Sequence, residues 1–111
     1  MQHILMLDLQ DDPDKIQAYI KAHQAVWPQV QDHLRRHGVT SMQIHRLGTR
    51  MVMVMHTDDA VFDAQAFERA TQENPEIQRW ENLMWTYQAP TPWTPKGSKW
   101  TPTECIFDWL A

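Results

Sequence analysis

The sequence predicts an α+β fold in which one antiparallel sheet carries helices on a single face. Three observations lead there. Apolar residues alternate with a period of two in an N-terminal segment and in two adjoining central ones. Between these strands they recur every three or four residues, the helical spacing. Proline, glycine and asparagine stand at the junctions. The 111 residues suffice for a single domain, residues 1–111, with no room for a second core.

Residues 2–9 read as a strand with Ile4, Met6 and Asp8 on one face and His3, Leu5, Leu7 and Leu9 toward the other. Asp12 followed by Pro13 starts a helix, the carboxylate capping free amides and the proline suiting the first helical position. Ile16, Tyr19, Ile20, His23, Trp27, Val30 and Leu34 then form one stripe. Pro28 must kink or divide that helix, because it lacks an amide hydrogen and crowds the carbonyl of Gln24. Gly38 ends it, with Arg35, Arg36 and His37 at the negative end of its dipole.

Val39 to Leu47 reads as a strand, Gly48-Thr49 as a turn, and Arg50 to His56 as the returning strand. Met51, Met53 and Met55 alternate there with Val52 and Val54, so both faces are apolar and the strand is expected to be central. A helix over 62–71 turns Phe62, Ala66, Phe67 and Ala70 inward. Asn74-Pro75 begins another, reaching about Tyr87, with Ile77, Trp80, Leu83 and Met84 on its stripe. A proline- and tryptophan-rich segment, 89–102, leads to an expected last strand, Thr103 to Leu110. The order β-α-β-β-α-(α)-β is the ferredoxin-like arrangement. It leaves one sheet face open, expected to carry methionines and valines, and a face-to-face homodimer would cover it.

Composition narrows the function. The chain is 42% hydrophobic and 22% charged, ordinary for a globular protein, and its net charge of −4 offers no footprint for nucleic acid. The N-terminal apolar stretch is broken by Asp8 and has no basic leader, and no apolar run approaches the roughly 18 residues of a membrane span. A lone Cys105 excludes an internal disulfide, suits a reducing cytoplasmic compartment, and is read as a small hydrophobe in the last strand. Six tryptophans are too many for so small a core to hide, which points to an aromatic-lined pocket or a dimer interface.

Tyr19, His23 and Trp27 stand at successive i, i+4 positions and would line one side of a single helix. An imidazole can give or take a proton near neutrality, and a phenol one turn away can orient it or bind a hydroxyl. By spacing alone a half-buried histidine among aromatics is the commoner outcome. His33 and His37 share a helix face, but no third ligand follows at a metal-binding distance, and His37 suits the helix end. There is no glycine loop for phosphate and no serine in a nucleophile elbow. Trp80, Glu81 and Trp85 on the last helix, with Lys99 and Trp100 in the tail, offer flat faces, a carboxylate and a cation, the ingredients for holding a polyhydroxy ligand.

Tyr19, His23, Trp27 and Pro28 form Tyr-x-x-x-His-x-x-x-Trp-Pro, which resembles the signature of the L-rhamnose mutarotase family. The His37-Gly38 helix end, the strand containing Ile44, Gln78-Arg79-Trp80 and the closing Ile106-Phe107 follow that family's order over essentially the whole chain. The resemblance implies a dimeric α+β barrel, no cofactor and exchange of the α and β anomers of a deoxyhexose. It implies His23 as acid/base, Tyr19 at the sugar, and Trp80 lining the pocket; Trp27, in the same motif, is taken as a further substrate-binding residue. The chain departs from the rhamnose enzymes at Gln29 (a glutamate there), Met42 (a tyrosine) and Glu81 (a second tryptophan). Trp80-Glu81-x-Leu83-Met84, Gln88-x-Pro90-x-Pro92 and Lys99-Trp100 are more similar to the branch acting on L-fucose.

Anomer exchange opens the hemiacetal, rotates the aldehyde and closes the ring on its other face. One group removes the anomeric hydroxyl proton while another protonates the ring oxygen. His23 is the expected first carrier; Tyr19 or Glu81 either serves as the second or orients the sugar, and Trp80, Trp100 and Lys99 hold it. Two other functions fit the same elements: a cofactor-free monooxygenase of the dimeric α+β barrel group, which needs a deep apolar pocket, and a non-enzymatic dimeric sugar-binding module.

Overall fold

The structure, a computed structural model, describes residues 1–111. Four strands and four helices follow in chain order: β1 (Gln2–Leu9), α1 (Pro13–Ala22), α2 (Pro28–Arg36), β2 (Val39–Leu47), β3 (Arg50–Thr57), α3 (Ala64–Glu73), α4 (Pro75–Trp85) and β4 (Gln88–Ala89), with a short fifth strand, β5 (Thr101–Pro102). The sheet is antiparallel in the order β2-β3-β1-β4, and β5 extends the same edge of β1. This is the predicted α+β topology with its helices on one face. No helix is long and apolar enough to cross a membrane.

Local chemistry starts each helix where expected. Asp12 accepts from the amides of Asp14 and Lys15 at 3.0 and 3.3 Å, and Pro13 opens α1. Asp63 caps α3 through Ala66 N, and Asn74 caps α4 through Glu76 N and Ile77 N, so the predicted helix over 62–71 is displaced to begin after Asp63. Gly38 takes a φ of +87°, and a Cβ there would stand 2.9 Å from Cβ of Val61, so only glycine fits.

The helical stripe is divided earlier than Pro28 itself. The residue before a proline is driven to extended backbone, and Trp27 has φ −56° and ψ 136°. The chain therefore leaves helical geometry at His23, the C-cap of α1, and re-enters it at Pro28. Tyr19, His23 and Trp27 lie on a helix, its cap and a connection, not on one continuous helix.

Register fixes which sheet face is buried. Leu7 pairs with Met51 and Leu5 with Met53, while Met42 and Ile44 of β2 pair with Met55 and Met53. The three β3 methionines are buried and face the helices, so the expectation that they form the open face is corrected: a one-residue offset reverses faces. The open face instead carries Ile4, Met6, Val52 and Val54, interleaved with Asp8, Arg50, Gln43 and His45. The core joins Leu7, Leu9 and Met51 of the sheet to Tyr19, Val30, Ile77, Trp80 and Met84 of the helices.

The expected strand Thr103–Leu110 does not form. Backbone pairing to β1 ends when Thr103 N donates to the carbonyl of Ile4, and residues 104–111 leave as an exposed arm. Within one chain nothing lies beside that segment to complete a ladder, and a strand needs a neighbour for its amides and carbonyls. Cys105 is accordingly an exposed thiol in the arm, not a packed strand residue.

His33 of α2 is buried against α3, stacked on Phe67 with ring centroids 5.3 Å apart. Thr71 Oγ1 donates to the carbonyl of Phe67 at 2.8 Å, so His33 Nε2 must donate to Thr71 Oγ1 at 2.9 Å. Burial, with His37 and Arg36 adding, pushes the His33 imidazole below its ordinary range. The unfolded chain then takes up this proton first, near pH 6.5, so the associated stability is complete above that pH and is lost as the pH falls through it toward the lower folded-state value. A thermal melt series from neutral pH downward should show Tm falling across this window, and His33→Gln, which keeps a donor for Thr71, should give a flatter profile.

Candidate active site

A cavity of about 620 Å³ lies between the sheet and the α1–α2 helices, within the roughly 300–1,000 Å³ range of small-molecule sites. Leu9, Met42, Ile44 and Met51 form its floor, and Val26, Val30 and Leu34 its side. The wall is apolar except where Tyr19, His23, Gln24, Gln31 and Arg46 enter it. Trp80 closes the end nearest the core.

His23 owes its place to the end of α1. As C-cap residue its backbone amide bonds back to Tyr19 and Ile20, and its ring folds over the last turn, so that Nδ1 lies 2.8 Å from the carbonyl oxygen of Tyr19. A carbonyl can only accept, so Nδ1 carries a proton, and in the neutral ring the lone pair is on Nε2. Nε2 has no protein partner among the hydrogen bonds of the ring, and His23 is one of the residues that line the cavity. The ring is held by Tyr19 at 4.4 Å and by the edge of Trp80 at 5.6 Å between centroids. In its neutral form such an imidazole can accept a proton at Nε2.

Tyr19 is 4% exposed, and its hydroxyl receives the side-chain amide of Gln88 at 3.1 Å. Burial pushes the phenol up to about 12; the Gln88 donor opposes the shift and the Glu81 carboxylate adds to it. The proton is therefore firmly held at neutral pH, and the phenol can serve there only as a neutral hydroxyl.

The remaining sequence-singled residues fall into two places. Trp80 lines the cavity, and Trp27 stacks edge-on against it at 5.2 Å, one layer behind. Glu81 pairs with Lys99 at 3.7 Å, and Lys99 lies over the Trp85 ring at 5.3 Å. Burial pushes the Glu81 carboxyl up, and the Lys99 ammonium pulls it partly back. Neither Glu81, Lys99 nor Trp100 borders the cavity; Trp100 is half-buried against the core. His33 and His37 are 4.8 Å apart ring to ring, with no third metal-ligating side chain beside them.

Arg46 escapes sequence reasoning, and so does the position of Gln88. Arg46 shares the cavity-facing side of β2 with Met42 and Ile44, so its period of two could have revealed it. Gln88 enters the sequence reading only as part of the resemblance to the L-fucose branch, and its bond to Tyr19 could not be found there, since it joins residues 69 apart in sequence.

Residues 2–109 match the family model described as L-rhamnose mutarotase. An L-fucose mutarotase of Xanthomonas campestris is 36% identical over 104 residues, spanning 92% of this chain and 82% of that protein. Among solved structures, the L-rhamnose mutarotase of Formosa agariphila superposes with a TM-score of 0.72 at 18% identity, covering 99% of both chains. Tetracenomycin F2 cyclase of Streptomyces glaucescens, a type-II polyketide cyclase, superposes with a TM-score of 0.62 at 15% identity, over 100% of this chain and 98% of that one. These two likenesses concern the fold, which evidently serves more than one chemistry.

The His23 geometry has a direct spectroscopic consequence. Long-range proton–nitrogen correlation on imidazole-labelled protein at pH 8 should show His23 as the Nδ1–H tautomer, the minority form of free histidine. An Nε2–H pattern would show that the bond to the Tyr19 carbonyl does not set the ring.

Proposed function

This chain belongs to the L-rhamnose mutarotase family, and from that premise we propose how its cavity works and which sugar it prefers. It is an isomerase, a sugar mutarotase for 6-deoxyhexopyranoses. The observation that carries the mechanism is the bond from His23 Nδ1 to the Tyr19 carbonyl, which leaves Nε2 as a proton acceptor in the cavity wall. His23 Nε2 takes the anomeric hydroxyl proton as the Tyr19 hydroxyl gives its proton to the ring oxygen. The bond from C1 to the ring oxygen breaks and C1 becomes a carbonyl. After rotation the freed hydroxyl attacks the other carbonyl face, its proton returns to Tyr19, and the imidazolium returns its own to the carbonyl oxygen. Atoms and charge balance without a redox partner or covalent intermediate, so acid/base side chains suffice.

Tyr19 is favoured over Glu81 as the second carrier because it shares the cavity wall with His23, whereas Glu81 is held by Lys99 outside that wall. The apolar floor suits the C–H faces and methyl group of a deoxy sugar, with Trp80 as a flat end wall and Trp27 behind it. L-fucose is the preferred sugar in this proposal. Identity with the Xanthomonas L-fucose mutarotase supports it, as does Met42 in the cavity, one of the positions at which the chain departs from the rhamnose enzymes in the resemblance drawn above. A site that leaves sugar hydroxyls unpaired discriminates strongly. The free exposed thiol of Cys105 supports a reducing, cytoplasmic setting.

A homodimer completes the proposal. Ile106, Phe107, Trp109 and Leu110 of the arm are each at least 70% exposed, and the open sheet face adds Ile4, Met6, Val52 and Val54. A second copy of this chain, its arm laid on the first, would cover both surfaces. The protein should sediment at about twice its 13.2 kDa chain mass, and removal of residues 104–111 should give a monomer; a full-length monomer at micromolar concentration would overturn the dimer.

Saturation-transfer NMR of anomer exchange tests the activity on L-fucose, L-rhamnose and D-galactose, with L-fucose expected fastest. His23→Asn should lose at least about 10²-fold in exchange, the lower end for a lost general acid/base, while melting within a few degrees of the parent. Equal rates on all three sugars would remove the preference, and a fast His23→Asn variant would remove the mechanism.

A further inference from the structure

Gln88 has no part in the mechanism as stated, yet it is the one side chain bonded to the hydroxyl of Tyr19. It sits on β4, where it pairs with Leu9 of β1, and its strand is fastened by Gln10, whose amide reaches the carbonyls of Thr86 and Gln88 at 3.1 and 3.3 Å. The Gln88 side chain is 4% exposed, and its own Oε1 is buried without a partner. A buried amide with one end unsatisfied is unusual in a core. Its retention is accounted for if the other end does something an apolar residue cannot.

The amide nitrogen, at 3.1 Å, can only donate. A phenol oxygen that receives this donor has its own proton left to give, and the cavity whose wall Tyr19 shares is where a sugar oxygen would receive it. As that proton leaves, negative charge grows on the phenol oxygen, and a donor already in place stabilises it without rearrangement. The nearby Glu81 carboxylate opposes the same charge, which increases the need for a donor.

We propose that Gln88 is a positioning residue for the exchange reaction, directing the Tyr19 proton toward the ring oxygen of the sugar and stabilising the charge left behind. The inference rests on Tyr19 being the second proton carrier. Gln88 acts only when Tyr19 gives up its proton, so its removal must lower kcat more than it changes KM. Its effect must also vanish once the phenol hydroxyl is gone.

The test is a double-mutant cycle on the full chain with L-fucose, using Gln88→Met, Tyr19→Phe and both together, with kcat and KM from exchange NMR. Methionine matches glutamine in size, has no donor and removes the unpartnered oxygen, so the fold should hold; Gln88→Leu serves as a second donor-free variant. Expected are a kcat loss of about 10-fold or more, the scale of a hydrogen bond to a charged group, a KM within about twofold, and a double variant no slower than Tyr19→Phe. Losses that multiply, or a Gln88→Met variant as fast as the parent, would overturn this inference while the parent's activity stands. A Tyr19→Phe variant of parental speed would overturn the second-carrier role and the inference with it. A parent chain that accelerates no sugar of the panel would overturn the functional reading itself, and Gln88 with it.

Discussion

Pro28 has no amide hydrogen, and its ring crowds the carbonyl four residues earlier, so α1 cannot run on through Gln24. The same ring forces Trp27 into extended backbone. Between Ala22 and Pro28 the chain must turn, and the turn creates three things together. It ends α1 at His23, whose ring folds back to share the Tyr19 carbonyl with its own amide, it opens the cavity between two helices and the sheet, and it lets Trp27 back onto Trp80. An uninterrupted helix would fill that space with side chains.

The cavity is also divided electrically. The His23 ring is tied through Nδ1 to a helix-end carbonyl, while Tyr19 is buried deeply enough that its proton stays on far above neutrality. In the proposed mechanism the pair would present an acceptor and a donor to one sugar at one pH, which concerted ring opening demands. Unlike environments, not unlike residue types, create this contrast: burial acts on the phenol, and a helix-end carbonyl acts on the imidazole. The Glu81–Lys99 pair lies outside the cavity wall, so its charges shape the field around Tyr19 without occupying the cavity.

The sheet solves its two faces differently. Methionines, flexible and unbranched, fill the irregular space beneath the helices. The opposite face mixes β-branched residues with a bidentate Asp8–Arg50 pair at 2.9 and 3.1 Å, and Arg50 also lies over Trp93 at 5.5 Å. That mixture resembles the core and rim of an interface more than an interior, and the departing arm repeats the pattern with Ile106, Phe107, Trp109 and Leu110 around Asp108.

The sequence by itself determined the elements through β3, their order, and the helix starts at Asp12, Asp63 and Asn74 within a residue or two, because caps, prolines and hydrophobic periods act over a few neighbours. Helical spacing also put Tyr19 beside His23, and only the family resemblance joined Trp80 to them. The sheet face taken by Met51, Met53 and Met55 was decided only by tertiary structure, since register depends on the partner strand and both faces were apolar. The fate of residues 103–110 was decided there too: alternating apolar residues make a strand only where an unpaired neighbour exists. The tautomer of His23 and the bond from Gln88 to Tyr19 belong to the same class. They depend on where one carbonyl and one amide come to rest after α1 ends and β4 docks on β1, and no local pattern encodes a contact between residues 69 apart.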